Sequence, residues 1–217
     1  MHLVSKELSQ VALMANLTSP YGGLYLPKVI KGLQERYGFL KVPQSIDEAQ
    51  QATGATFSHA HFDGHTIDQL KVYPNGLLVQ SKTTVEKTEH FLNDLLSWAG
   101  KEFGIEISEF HPTYKTYDSH VVVNMEIDLV KHFQPLKEIC QQIIERLLSY
   151  GVETKEFENS GFILHTDTYS LPGIKPSSFT IERRVGAPFD SNLYFSAAPL
   201  RTDDHISLLT KVESLFS

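Results

Sequence analysis

Three histidines and an aspartate alternate along His59-Ala60-His61-Phe62-Asp63-Gly64-His65, the densest run of metal-ligating and proton-carrying side chains in the 217-residue chain. On one flat strand alternate side chains share a face, so four polar groups at this spacing would project together, able to hold a transition metal or relay protons. Turn chemistry divides them. Asp-Gly between two alternating runs is a strong hairpin signal, because both central residues of the tightest hairpin turns need positive φ. With Asp63-Gly64 as the turn, Phe62 pairs with His65, His61 with Thr66, Ala60 with Ile67, His59 with Asp68 and Phe57 with Leu70. Asn75-Gly76 repeats the signal and predicts a three-stranded meander over 56–81 in which Val72 meets Val79. His65 then leaves for the opposite face and Asp63 enters the turn. His59, His61 and Asp68 stay together near the hairpin end of the more apolar face, a candidate catalytic or metal-binding triad. Directly opposed side chains have Cβ atoms about 5 Å apart, so a His59–Asp68 contact is natural in this register. The competing reading is a hydrogen-bonded polar corner of the sheet, with no cofactor at all.

The spacing His59-x-His61-x-Asp63 resembles the metal motif of metallo-β-lactamase-fold hydrolases, where two histidines two apart hold one metal and the following aspartate and histidine hold a second. The likeness ends within the run, since Gly64 separates Asp63 from His65. His111, His120 and His165 are generic sources of the missing ligands. What the resemblance implies is a small metal-dependent hydrolase with one divalent transition metal, kept as the alternative function.

Elsewhere reaction motifs are absent: no phosphate-binding glycine loop, nucleophile elbow, paired CxxC or HExxH. Arg183 falls on the apolar side of Phe179, Ile181, Arg183 and Val185, where a guanidinium can hold an anion or an internal carboxylate. Tyr114 and Tyr117, in the polar-aromatic stretch from His111 to His120, are candidates for partner contact. Cys140 stands alone among Ile139, Ile143 and Ile144 and reads as inert core thiol. A net charge of -7 without a basic stripe argues against nucleic-acid binding. The first 17 residues carry Lys6, Glu7 and Gln10 where a secretory signal needs an apolar run, and no segment is apolar enough to span a bilayer, so a cytoplasmic protein is expected.

Helices with start and stop signals must position these groups. Spacing predicts one over Leu24–Tyr37 closed by Gly38, one from Thr83 or Thr84 to Phe103 closed by Gly104, one from about Val130 to Tyr150 closed by Gly151, and one from Thr202 or Asp203 onward. A short helix is expected from Ser45 to about Thr53. Alternation predicts strands over His120–Leu129, Phe162–Thr168, Phe179–Val185 and Leu193–Ala197, another near Val152–Phe157, and a weaker one over Val11–Leu17. The fold class is α+β: mostly antiparallel sheet backed by about four helices in a single compact unit. Each half, 1–107 and 117–217 joined by 108–116, shows a strand, a helix, several antiparallel strands and a helix. This order resembles the doubled plan of TATA-box-binding-protein-like folds in layout, and it raises an internal duplication as an expectation. The function expected is a non-catalytic interaction or regulatory protein whose partner is another protein or its own copy. A saddle-like nucleic-acid binder ranks below it on charge.

Overall fold

The computed structural model describes residues 1–18, 26–49, 54–107, 113–133, 135–152, 157–167, 169 and 175–217. In chain order its elements are β1 (His2–Met14), β2 (Leu17–Thr18), α1 (Leu26–Tyr37), α2 (Ile46–Ala49), β3 (Ala55–Phe62), β4 (His65–Tyr73), β5 (Gly76–Ser81), α3 (Val85–Phe103), β6 (Glu106–Ile107), β7 (Tyr114–Asn124), α4 (Pro135–Ser149), β8 (Gly161–Leu164), β9 (Phe179–Arg183), β10 (Leu193–Ala198) and α5 (Thr202–Leu215). Eight strands form one antiparallel sheet in the order β3-β4-β5-β1-β7-β10-β9-β8, and β2 pairs with β6. The fold is α+β.

At the centre of the sheet β1 pairs with β7, with Ser9 opposite Ser119. From this seam the order is the same in both directions: β5, β4, β3 on one side and β10, β9, β8 on the other. Registers correspond too. Ser9 pairs with Ser81 and Ser119 with Ala198, Leu70 with Val79 and Ile181 with Ser196, Phe57 with Leu70 and Phe162 with Ile181.

Helices bury their apolar stripes against one side of this sheet. Leu33 and Tyr37 of α1 and Phe91, Leu92 and Leu95 of α3 pack with Val11, Leu13, Phe57, Leu70 and Val79. Leu209 and Val212 of α5 pack with Val121, Val123, Ile181 and Tyr194. Thr84 caps α3 by accepting from the Lys87 N–H, and Gly104 ends it at φ 63°. The starts of α3 and α5 meet over the seam, where the Thr202 hydroxyl accepts from the Val85 N–H at 2.8 Å. Beneath them Ser9, Ser81 and Thr88 close a buried ring of hydroxyls at 2.6 to 2.8 Å. Each hydroxyl can donate once and accept once, so the ring hides three polar groups in a core without leaving one unpaired.

Several boundaries differ from the sequence expectation. The second hairpin turns at Pro74-Asn75, so Tyr73 pairs with Gly76 and Val72 with Leu77, while Val79 meets Leu70. The fixed φ of proline suits the first central position of a turn, and Gly76 is needed one place later, where a Cβ would strike the Leu13 carbonyl. The strand expected over His120–Leu129 runs instead from Tyr114 to Asn124. Beyond it the Met125 N–H donates to the Asn192 carbonyl and the chain winds into a 3-10 turn at Leu129–His132, with Leu129 still fully buried. That turn and Pro135 divide the long helix expected over Val130–Tyr150, leaving α4 from Pro135. No described side chain of α4 is buried: Leu136, Ile139 and Leu148 are exposed, and Cys140 is partly exposed, not sealed in either core. Residues 24–25, 50–53, 134, 153–156 and 168 of the expected elements lie outside the described residues, as does His111.

Candidate functional site

Asp63 at φ 46° and Gly64 at φ 75° form the tight turn that their sequence predicts, and the register from Phe62–His65 to Ala60–Ile67 follows it. One step further along, the regular ladder is interrupted. His59 adopts φ 58°, a left-handed conformation that breaks the alternation, and Asp68 falls where the β4–β5 register slips. The count across β3 and β4 still sets the two opposite one another, between Ser58–Gln69 and Ala60–Ile67, but they form no ladder pair. A one-residue shift exchanges the faces of a strand. Phe57 and Leu70 on one side of the bulge and Ala60 and Ile67 on the other therefore all enter the same core. His59 and His61 are exposed and Asp68 is half-buried. Among the described residues no three His, Cys, Asp or Glu are placed to hold a metal ion. His65 and Phe62 instead turn toward α3, with Phe62 packed against His65 at 5.9 Å and His90 at 5.3 Å. The outer edge of β3 is occupied by backbone: Lys41 and Ser58 exchange hydrogen bonds, and the Leu40 N–H donates to the His59 carbonyl.

Arg183 is drawn inward as its position predicts and is 7% exposed. It donates to Asp128 Oδ1 at 2.8 Å, to Glu158 Oε2 at 3.3 Å and to the Phe189 carbonyl, and it stacks on Phe189 at 4.8 Å. The same Asp128 oxygen accepts from the Tyr194 hydroxyl, whose pKa is raised by burial. This guanidinium is committed to an internal carboxylate, the alternative to an anion site. Tyr117 is likewise internal. Its hydroxyl donates to Glu89 at 3.0 Å and accepts from Arg201 at 3.1 Å, while Lys115 donates to the same Glu89 oxygen at 2.8 Å. Burial pushes the Glu89 carboxyl up, but the Lys115 and Tyr117 hydrogen bonds outweigh it and hold the pKa below the usual range. Tyr114 is exposed at the start of β7, opposite Met14.

With the marked residues dispersed or paired internally, the largest feature left is the side of the sheet facing away from α1, α3 and α5. Neither core includes its residues. At its centre Gln80 donates to Gln10 at 2.7 Å, Asp118 lies 3.2 Å from His120 Nε2 and accepts from Ser177, and Phe195 packs on the His120 ring at 5.6 Å. Flanking this polar centre are two apolar cross-strand pairs, Ala12–Leu78 and Val122–Phe195. Outside those stand Lys71, opposite Leu78, and Glu182, opposite Phe195. Glu7 and Arg184 pair at 3.7 Å at the margin. Sequence alternation marked the strands but could not find this face, because which side the helices cover follows from tertiary packing.

The chain matches no protein-family model, and no curated protein matches it.

Proposed function

We propose that this chain is a non-catalytic interaction or regulatory module of the cytosol that binds another protein or its own copy through the open face of its sheet. One observation carries the reading. All the helix residues of the two cores cover one side of eight strands, while on the other side stand two apolar pairs, Ala12–Leu78 and Val122–Phe195, around a polar centre, with Ala12, Leu78 and Phe195 partly exposed and Val122 buried. A water-facing side of an antiparallel sheet is ordinarily polar, and contiguous apolar residues rimmed by polar ones mark contact surfaces. The charges there, Lys71 and Arg184 against Glu7, Asp118 and Glu182, make no basic stripe, which favours protein over nucleic acid as the partner. A lone cysteine and no paired CxxC suit a reducing compartment.

Leu78→Lys with Phe195→Lys tests the reading. Circular dichroism and melting should report an intact fold. Light scattering and co-purification from the native cell should report loss of the associated protein or second copy. Lys211→Glu, exposed on α5, should change neither. Association that survives the double substitution, or a wild-type chain that stays alone in both assays, overturns it.

A further inference from the structure

We infer that the open face is self-complementary and that a second copy of this chain docks on it face to face, pairing Lys71 of each copy with Glu182 of the other; this rests on the open face being a contact surface. Lys71 and Glu182 occupy corresponding places in the two halves of the sheet. Lys71 reaches the seam through Leu78 and Ala12, and Glu182 reaches it through Phe195 and Val122. Ala12 and Val122 each lie three residues beyond the central Ser9–Ser119 pair. Both charged side chains stand on the face opposite the two cores, since their neighbours Leu70 and Ile181 point into those cores. Both are partly buried, and among the described residues neither side chain makes a hydrogen bond or ion pair. Other charges of the face are already matched, Asp118 with His120 at the centre and Glu7 with Arg184 at the margin.

Opposite charges at corresponding positions suit a two-fold partner. A two-fold axis in the plane of the face, perpendicular to the line joining the two residues, sets each Lys71 over the partner's Glu182, and both pairs form at once. Leu78 and Phe195 beside them enter the same contact. Two antiparallel sheets packed through such faces, aligned or steeply crossed, form an ordinary sandwich interface. A like-charged pair at either position would oppose docking, so the face selects its own copy by sign as well as by shape.

The test is a charge swap read by sedimentation equilibrium on the full chain. Wild type should dimerise. Lys71→Glu alone and Glu182→Lys alone should each weaken the dimer on the order of a hundredfold, because each sets two like pairs face to face. An equimolar mixture of the two variants should regain heterodimers, and the doubly swapped chain should regain the homodimer. Dichroism of every variant checks folding, and the mixture keeps the test valid if the double variant folds poorly. A wild-type chain that stays monomeric, a dimer indifferent to both swaps, or single variants that do not rescue each other overturns the inference. Cross-links from Phe195 to a different protein, with the chain itself monomeric, would overturn self-docking while leaving the interaction reading intact.

Discussion

His205 should make this protein lose stability in mild acid in a way that one substitution removes. The side chain is fully buried on α5, with Nε2 2.9 Å from the Ser196 hydroxyl and its ring 6.2 Å from Phe179. Burial, with a smaller contribution from His120, lowers its pKa from 6.5 to about 4. The unfolded chain therefore binds a proton that the folded chain refuses throughout this window. Stability is complete above the unfolded value of 6.5 and drains as pH falls toward about 4, below which the loss is constant. At about 1.4 kcal/mol per unit the integrated loss is roughly 3 kcal/mol. Urea denaturation at pH steps from 7 to 4 should show that loss in wild type beyond the loss in His205→Gln, which can keep a hydrogen bond to Ser196 but does not titrate. Carboxylates such as Glu89 and Asp94, whose pKa values are lowered, contribute equally to both proteins. Equal pH slopes for the two proteins would refute the reasoning.

Arg183→Met should cost about 3 to 5 kcal/mol in denaturant titration, because Asp128 and Glu158 lose a buried counter-charge; a loss under 1 kcal/mol would mean that solvent reaches the cluster. A Cβ at Gly32 would already stand 3.1 Å from two Trp98 ring atoms, so Gly32→Val should displace the ring at a cost of about 1 to 3 kcal/mol. Trp98 is the only tryptophan, and a red shift of its emission reads the displacement directly. His59→Gly should be neutral or stabilise by up to about 1 kcal/mol by relieving a left-handed residue, whereas His59→Val should destabilise by about 1 to 2 kcal/mol; the reverse order would contradict the bulge.

Local chemistry was legible where one or two residues dictate the backbone. Thr84 and Gly104 delimit α3, and Asp63-Gly64 makes its turn, because caps and positive-φ turns are decided within a few residues. The break in alternation at His59 lay beyond reach. Nothing in the alternation of Phe57, His59 and His61 announces that His59 will turn left-handed. Yet the shift moves Ala60 and Ile67 into the core and carries the histidines to the surface. Periodicity also does not report depth of burial. α4 has as clear an apolar stripe as α3, but Phe91 and Leu92 are fully buried while Ile139 is 55% exposed. For the candidate site, Arg183 was placed correctly on the inward side, and its carboxylate partners come from distant turns that no spacing identifies. Lys71 and Glu182 carried no signal, since their correspondence exists only once strand order joins the halves at β1 and β7.

Photo-cross-linking in the native cell tests the open face most directly. A benzophenone side chain placed at Phe195, and separately at Leu78, should give a discrete cross-link to a protein partner or to a second copy, while the same group at Lys211 on α5 should give none. Cross-links from Lys211 with none from Phe195 or Leu78 would contradict the assignment of this face as the contact surface.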